Sequence, residues 1–262
     1  MDDKDWDIFK QKLNAKTGID LHLYKEAQMR RRIGNLVTRS DFQSYTGYFD
    51  DVVKDKEKFA EFIEYLTINV SEFFRNPDKF DIVEKEIIPY LLKSSPKLNI
   101  WSAGCSIGAE PYTLSIILKE LTPNVKHRIL ASDLDIEILA KAKKGVYNEN
   151  EIKAMRPDRK QKYFTKTADG KFAINPEIKS VIEFKRHNLL KDKFETGFDL
   201  ILCRNVVIYF TEDAKDVLYT NFFNSLKPGG ILFVGATEAI LNYRKMGYTS
   251  FKPFFYQKPL DK

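Results

Sequence analysis

At 262 residues with 43% hydrophobic content, the chain is long enough to bury one α/β domain and a small companion, and its composition is that of ordinary globular material. No apolar run approaches the ~18 residues that span a bilayer, and residues 1–7 are acidic and polar, unlike a signal peptide, so a cytoplasmic protein is expected. The net charge of +6, from 43 basic and 37 acidic residues, allows a basic face for nucleic acid, a membrane surface or an acidic protein without separating them, and Cys105 and Cys203 make no metal-ligand spacing and read as free thiols of a reducing compartment.

Residues 1–66 read as helical throughout and form the first expected domain. Within residues 24–40, Met29, Ile33, Leu36 and Val37 share one face at helical spacing, while Lys25, Arg32 and Arg39 run along its flank with Arg30 and Arg31 nearby. The apolar face is packing. The basic stripe is either a solvated face or a docking surface for an acidic partner. Residues 59–66 close the domain with a short amphipathic helix. In the connector that follows, Asn69 or Ser71 suits a helix cap, whereas Phe73 and Phe74 beside Arg75 suggest the lining wall of a site. Pro77 then starts a helix that passes through Phe80, Val83, Ile87 and Ile88 and ends near residues 89–92.

Residues 97–118 organise the rest. A β-prone run leads through small residues and two glycines into an apolar helix with Leu114, Ile117 and Leu118 on one face: a strand, a tight turn and a helix. The crevice outside such a strand's carboxyl end is where open α/β sheets bind nucleotides. A dinucleotide fingerprint and a P-loop are both absent, since Gly104 and Gly108 are spaced G-x-x-x-G with Glu110 just beyond. A carboxylate there repels phosphate but suits a ligand with hydroxyls and an ammonium. S-adenosylmethionine is such a ligand.

Residues 127–135 read as a second buried strand ending in acids. Asp133 stands where a ribose diol is held, and Asp135 serves equally well as the N-cap of a helix over 136–144. From 146 to about 180 the α/β rhythm stops; 162–166 and 171–174 read as short strands joined by Ala168-Asp169-Gly170, a small β insert. The sheet resumes at 181–185, and Asn188 after it either reads an adenine edge or makes a turn. Residues 198–203 are a buried parallel strand, with Arg204, Asn205 and Tyr209 bringing polar groups after it. A helix over 216–226, a turn at Lys227-Pro228-Gly229-Gly230, a strand over 231–234 and final strands within 248–258 complete the chain.

Four stretches together, Asn69-Val70-Ser71-Glu72-Phe73-Phe74-Arg75, the 101–113 loop, Ala131-Ser132-Asp133-Leu134-Asp135 and Cys203-Arg204-Asn205-Val206-Val207-Ile208-Tyr209-Phe210, closely resemble the bacterial chemotaxis receptor glutamate methyltransferases. The resemblance implies an all-helical N-terminal domain (1–66), then a Rossmann-like S-adenosylmethionine methyltransferase domain (67–262), an α/β sheet with a β subdomain insert at about 146–180. It also implies transfer of methyl groups to glutamate side chains on a chemoreceptor's cytoplasmic helices, with S-adenosylhomocysteine as the other product and no metal. Asn69, Ser71, Arg75, Gly104, Glu110, Asp133, Asn188, Leu189, Arg204 and Asn205 fall at cofactor positions, and Arg75 and Tyr209 near the transferred methyl. The basic helix bearing Lys25, Arg30, Arg31, Arg32 and Arg39 is implied to dock the receptor's acidic methylation region. Ser71 stands for a commoner Thr, keeping the hydroxyl, and Ala109 for a commoner Glu, leaving Glu110 as that loop's carboxylate. The insert is a few residues shorter than in members that tether to a receptor's C-terminal peptide, which favours direct docking, here by a monomer without membrane insertion.

The chemistry is in-line attack of a carboxylate on a sulfonium methyl. A free glutamate, with a pKa of about 4.3, is already ionised near neutral pH and needs no base. None of the three histidines, His22, His127 and His187, sits in a nucleophile–base pattern. Two rivals are a nucleic-acid methyltransferase, opposed by Arg204-Asn205-Val206-Val207 where adenine-N6 enzymes want [DN]-P-P-[FYW], and a non-catalytic receptor adaptor that keeps the cofactor fold.

Overall fold

The structure is a computed structural model that describes residues 2–67 and 71–260. The chain folds as two compact units, Met1–Ile68 with Val206–Leu218, and Asn69–Asn205 with Tyr219–Lys262.

The first unit is built from α1 (Asp3–Thr17), α2 (Glu26–Arg39), α3 (Tyr45–Val52) and α4 (Lys56–Thr67). Asp2 caps α1 by accepting the Asp5 N–H, and Gly18 ends it in the left-handed region at φ 78°. Each helix gives one apolar stripe: Trp6, Phe9 and Leu13 from α1, Met29, Ile33 and Val37 from α2, Tyr45 and Phe49 from α3, Phe62 from α4. The aromatic members meet edge to face, Phe9 against Phe49 at 5.5 Å and Trp6 against Tyr45 at 4.9 Å. Leu36, expected on the buried face of α2, is only half-buried. Lys25 stands before the helix as its N-cap rather than within it.

A returning segment completes this unit. Tyr24 pairs antiparallel with Phe210, the Lys25 N–H donates to Tyr209 O at 2.9 Å, the Thr211 N–H donates to Leu23 O at 3.0 Å, and the two rings of the pair meet edge to face. Residues 206–211 are thus strapped to the start of α2.

The second unit opens with α5 (Pro77–Ile82), a single π turn at Val83–Ile87, and α6 (Ile88–Leu92). The interruption has a cause: Pro89 cannot donate to the helical ladder, and widening the preceding turn accommodates the lost bond. Next come β1 (Asn99–Ala103), α7 (Ala109–Leu121), β2 (Arg128–Asp133), α8 (Ile136–Lys144), β3 (Val146–Tyr147), α9 (Pro157–Tyr163), β4 (Phe164–Lys166), β5 (Phe172–Ile174), α10 (Pro176–Lys179), β6 (Ile182–Arg186), β7 (Phe198–Cys203), α11 (Glu212–Ser225), β8 (Leu226–Val234), β9 (Thr249–Lys252) and β10 (Phe255–Gln257). The sheet runs β6-β2-β1-β7-β8-β10-β9, with β10 antiparallel between β8 and β9. Ile100 of β1 faces Ile129 on one side and Leu200 on the other, both parallel, so the strand order reverses beside β1. That reversal opens the crevice for a ligand at the strands' carboxyl ends.

The insert holds a three-stranded sheet, β3-β5-β4. Two expectations change here. Lys162 and Tyr163, read as the start of a strand, belong instead to α9, whose Pro157 at the first turn is pre-set for a helix. The Lys227-Pro228-Gly229-Gly230 stretch is no free turn: β8 begins at Leu226, opposite Phe198, and Gly229 N–H bonds Lys258 O.

Candidate cofactor site

The chain folds sharply after β1. Gly104 (φ 80°) and Cys105 both donate their N–H groups to Ser132 O, and Gly108 (φ 85°) is the N-cap of α7. A Cβ on Gly108 would lie 3.0 Å from that of Ala142, so a glycine is needed for both conformation and space. Between them Ser106 is left-handed at φ 49°, and its N–H donates to Asp133 Oδ2 at 2.8 Å. Asp133, the last residue of β2, also accepts the Asp135 N–H at 3.1 Å. Burial pushes the Asp133 carboxyl above the usual carboxylate range, against the pull of these donors. Each of its oxygens holds one N–H and keeps a lone pair. Asp135 is a helix cap, accepting the Glu137 and Ile138 N–H groups.

Glu110, in the first turn of α7, accepts the Ser102 hydroxyl at 2.8 Å on Oε1 and Arg204 Nη1 at 3.2 Å on Oε2. The other arm of Arg204 donates to Arg75 O at 2.9 Å and to Asn76 Oδ1 at 2.7 Å. Its guanidinium lies over the Phe233 and Phe80 rings at 4.7 and 5.1 Å. Arg204 therefore joins Glu110 to the Arg75 loop, a use that its position after β7 does not disclose.

That loop is strained on both sides of Arg75, with Phe74 at φ 53° and Asn76 at φ 62°. The Phe73 N–H donates to Glu151 O and the Phe74 N–H to Thr113 Oγ1 at 3.1 Å. Arg159, itself paired with Glu84 at 2.7 Å and Glu120 at 2.5 Å, covers the Phe74 ring at 4.8 Å. Asn205 is left-handed too, at φ 60°, and its N–H donates to Glu238 Oε2 at 2.6 Å. Of six such non-glycine residues among those described, four (Phe74, Asn76, Ser106, Asn205) lie in these loops, the kind of concentration found at ligand sites, which makes them the candidate site.

The remaining expected residues divide. Asn188 is buried, and its amide oxygen accepts the Leu190 N–H at 3.0 Å, the turn-making use. Leu189 is half-buried within that turn, and Ser71 is half-buried. Asn69 lies outside the described residues. Tyr209 groups with the helical unit through the strap. Sequence reasoning missed Ser102, Thr113, Arg159 and Glu238; the last three act through partners 33 or more positions away, so no local spacing signals them, while Ser102 reaches Glu110 across the eight residues of the glycine turn.

On the helical unit the basic set is also uneven. Arg30 pairs with Asp3 at 2.6 Å. Arg32 donates to Tyr65 O and stacks on that ring at 4.1 Å. Arg31 and Arg39 are exposed, and Lys25 is half-buried.

The cofactor-site residues fit S-adenosylmethionine. Two carboxylates, Glu110 and Asp133, suit hydroxyl and ammonium donors; the glycine turn permits close backbone approach; and the buried Ser106 hydroxyl has no hydrogen-bond partner among the described residues. Strand order, glycine turn and the acid closing β2 together define a Rossmann-like methyltransferase domain that binds S-adenosylmethionine. Residues 69–253 match the model of the CheR methyltransferase SAM-binding domain, and residues 4–67 that of the CheR methyltransferase all-alpha domain. The chain belongs to the CheR methyltransferase family. It is 41% identical to the chemotaxis protein methyltransferase of Listeria innocua, over 98% of both chains. It is 34% identical to the protein of that name from Borreliella burgdorferi, over 92% of this chain and 89% of the relative. Chemotaxis protein methyltransferase 1 of Pseudomonas aeruginosa is 32% identical, over 91% of each.

Proposed function

We propose that the protein transfers methyl groups from S-adenosylmethionine to glutamate side chains on the cytoplasmic helices of chemoreceptors, making γ-glutamyl methyl esters in the cytoplasm. When bound, the cofactor supplies an electrophilic methyl on a sulfonium. Asp133 accepts from the ribose hydroxyls, Glu110 takes the ammonium side, and Asn188, Leu189 and Asn205 line the remainder with Ser71, Asn69 and Gly104. Arg75 holds the cofactor's carboxylate, and Tyr209 orients the incoming glutamate through its hydroxyl, because a cation on the nucleophile itself would dull it. Catalysis comes from proximity and orientation.

The observation that carries this reading is how the histidines are used. His22 pairs with Asp20, His127 accepts the Leu98 N–H and bonds Thr122, and His187 packs against Trp101. A nucleophile already ionised at neutral pH, a carboxylate, is the one such a site serves without a base. Arg31, Arg39 and Lys25 offer the receptor's acidic helices a complementary face, with Arg30 and Arg32 setting its edge. The docking is direct, by a monomer.

The test is transfer of labelled methyl from S-adenosylmethionine to chemoreceptor cytoplasmic fragments, with RNA in a parallel tube, followed by mild alkali. Label on the receptor alone that leaves as methanol is the expected result. Label on RNA, or none on either despite cofactor binding, rejects the reading in favour of a nucleic-acid enzyme or an adaptor.

A further inference from the structure

Glu238 is a buried carboxylate, 5% exposed, that lies just beyond the end of β8. Its Oε2 accepts two main-chain N–H groups, from Gly235 at 2.8 Å and from Asn205 at 2.6 Å, while its own N–H closes the turn onto Gly235 O. β7 and β8 are parallel neighbours with Cys203 facing Val234, so a single oxygen ties the first residue after β8 to the second residue after β7. Burying a charge is unfavourable unless it is well bonded, and a left-handed asparagine is strained. Neither is needed to end a parallel strand. Here the two meet: the N–H of the left-handed Asn205 and that of Gly235 both reach the same carboxylate oxygen.

We propose that Glu238 is a positioning residue of the cofactor site, holding Asn205 in the conformation that presents its side chain to S-adenosylmethionine; this rests on the reading of Asn205 as a cofactor contact. Gly235 belongs to the same device. A Cβ there would overlap Glu238 Oε2, and would stand 3.1 Å from the Asn205 nitrogen. Glycine is thus required at 235 by the carboxylate, not by its own backbone angle. The turn admits a glutamine in place of Glu238, since an amide oxygen accepts the same two N–H groups, whereas alanine leaves both without that acceptor.

The experiment measures the affinity of the full chain for S-adenosylhomocysteine by calorimetry, with the unfolding midpoint followed alongside. Glu238→Ala is expected to weaken binding roughly tenfold or more, and Glu238→Gln to recover most of it. Gly235→Ala, which displaces the carboxylate without deleting it, is expected to match Glu238→Ala. Combining the two alanines should weaken binding little beyond Glu238→Ala alone, because the added methyl then has no carboxylate to displace. Should Glu238→Ala fail to fold, Gly235→Ala decides the matter. Wild-type affinity in Gly235→Ala and Glu238→Ala, with Asn205→Ala weakened, overturns the proposal. Wild-type affinity in Asn205→Ala instead overturns the reading of the site beneath it.

Discussion

The loops at the carboxyl ends of β1, β2, β7 and β8 and the exposed face of α2 both carry charge, and they use it in opposite ways. In the loops, Asp133, Arg204 and Glu238 are buried and bonded to main-chain groups in or beside left-handed segments. On α2 the backbone is regular, and the charges either stand exposed or pair near solvent, as Arg30 does with Asp3. Buried charge fixes geometry, which chemistry demands. Exposed charge attracts a partner and tolerates slack, which suits docking.

The largest effect should come from Arg204. Arg204→Ala leaves Glu110 and the Arg75 loop unclamped, and both the loss of stability, about 3–5 kcal/mol, and loss of cofactor binding are expected by denaturant unfolding and calorimetry. Arg204→Lys should restore little, because an ammonium cannot reach Glu110 on one side and Arg75 O with Asn76 on the other in a planar fork. A lysine variant with wild-type affinity would mean that charge alone matters in the loops, and the contrast would break.

Next come Arg31 and Arg39. Replacing both with alanine should raise the KM for receptor fragments by about three- to ten-fold, the effect of two weak, solvent-exposed charge contacts, while kcat holds. Added salt should erase the difference between variant and wild type, given screening within about 8 Å at physiological ionic strength. An equal fall in kcat would place these arginines in chemistry rather than docking.

A smaller effect concerns pH. Burial holds the His127 imidazole below its ordinary range, with Lys97 adding to the shift. The folded state therefore prefers the neutral ring, and the stability this gives is present above the ordinary histidine pKa of about 6.5 and lost as pH falls through the lowered folded value. His187 shifts the same way through burial. His127→Gln, whose amide can still meet the Leu98 N–H and Thr122, should lose less melting temperature than wild type between neutral and mildly acidic buffer. Identical slopes would show that His127 binds its proton equally in the folded and unfolded states and contributes nothing to the pH-dependence. Smallest of all, Arg30→Ala should leave the unfolding midpoint almost unchanged, since its partner Asp3 is exposed and the pair is screened by solvent.

The glycine turn, Asp133 at the end of β2 and the basic helix were legible because each depends on residues close in sequence: a pair of glycines, a short apolar run closing in acids, a period of 3.6. The π turn before Pro89 was half legible, as the proline announces a break but not its form. Long-range pairings were not legible. Arg204 reaches Arg75 across 129 positions, and Glu238 reaches Asn205 across 33. Asn188 shows the converse: a residue type that suited two uses, whose amide oxygen the fold engages in the local turn.

The strap between residues 23–25 and 206–211 bears on how the family's halves can be exchanged. The helical half is not a contiguous cassette. A graft that copied only residues 1–67 onto another member's catalytic half would bring Leu23 O and the Lys25 N–H to meet a foreign segment at the positions of Thr211 and Tyr209, and set Tyr24 against a stranger to Phe210. On the proposed docking reading, any receptor preference that α2 carries is inherited together with a short stretch far downstream in the same chain, and the chimeras expected to succeed are those that move both pieces at once.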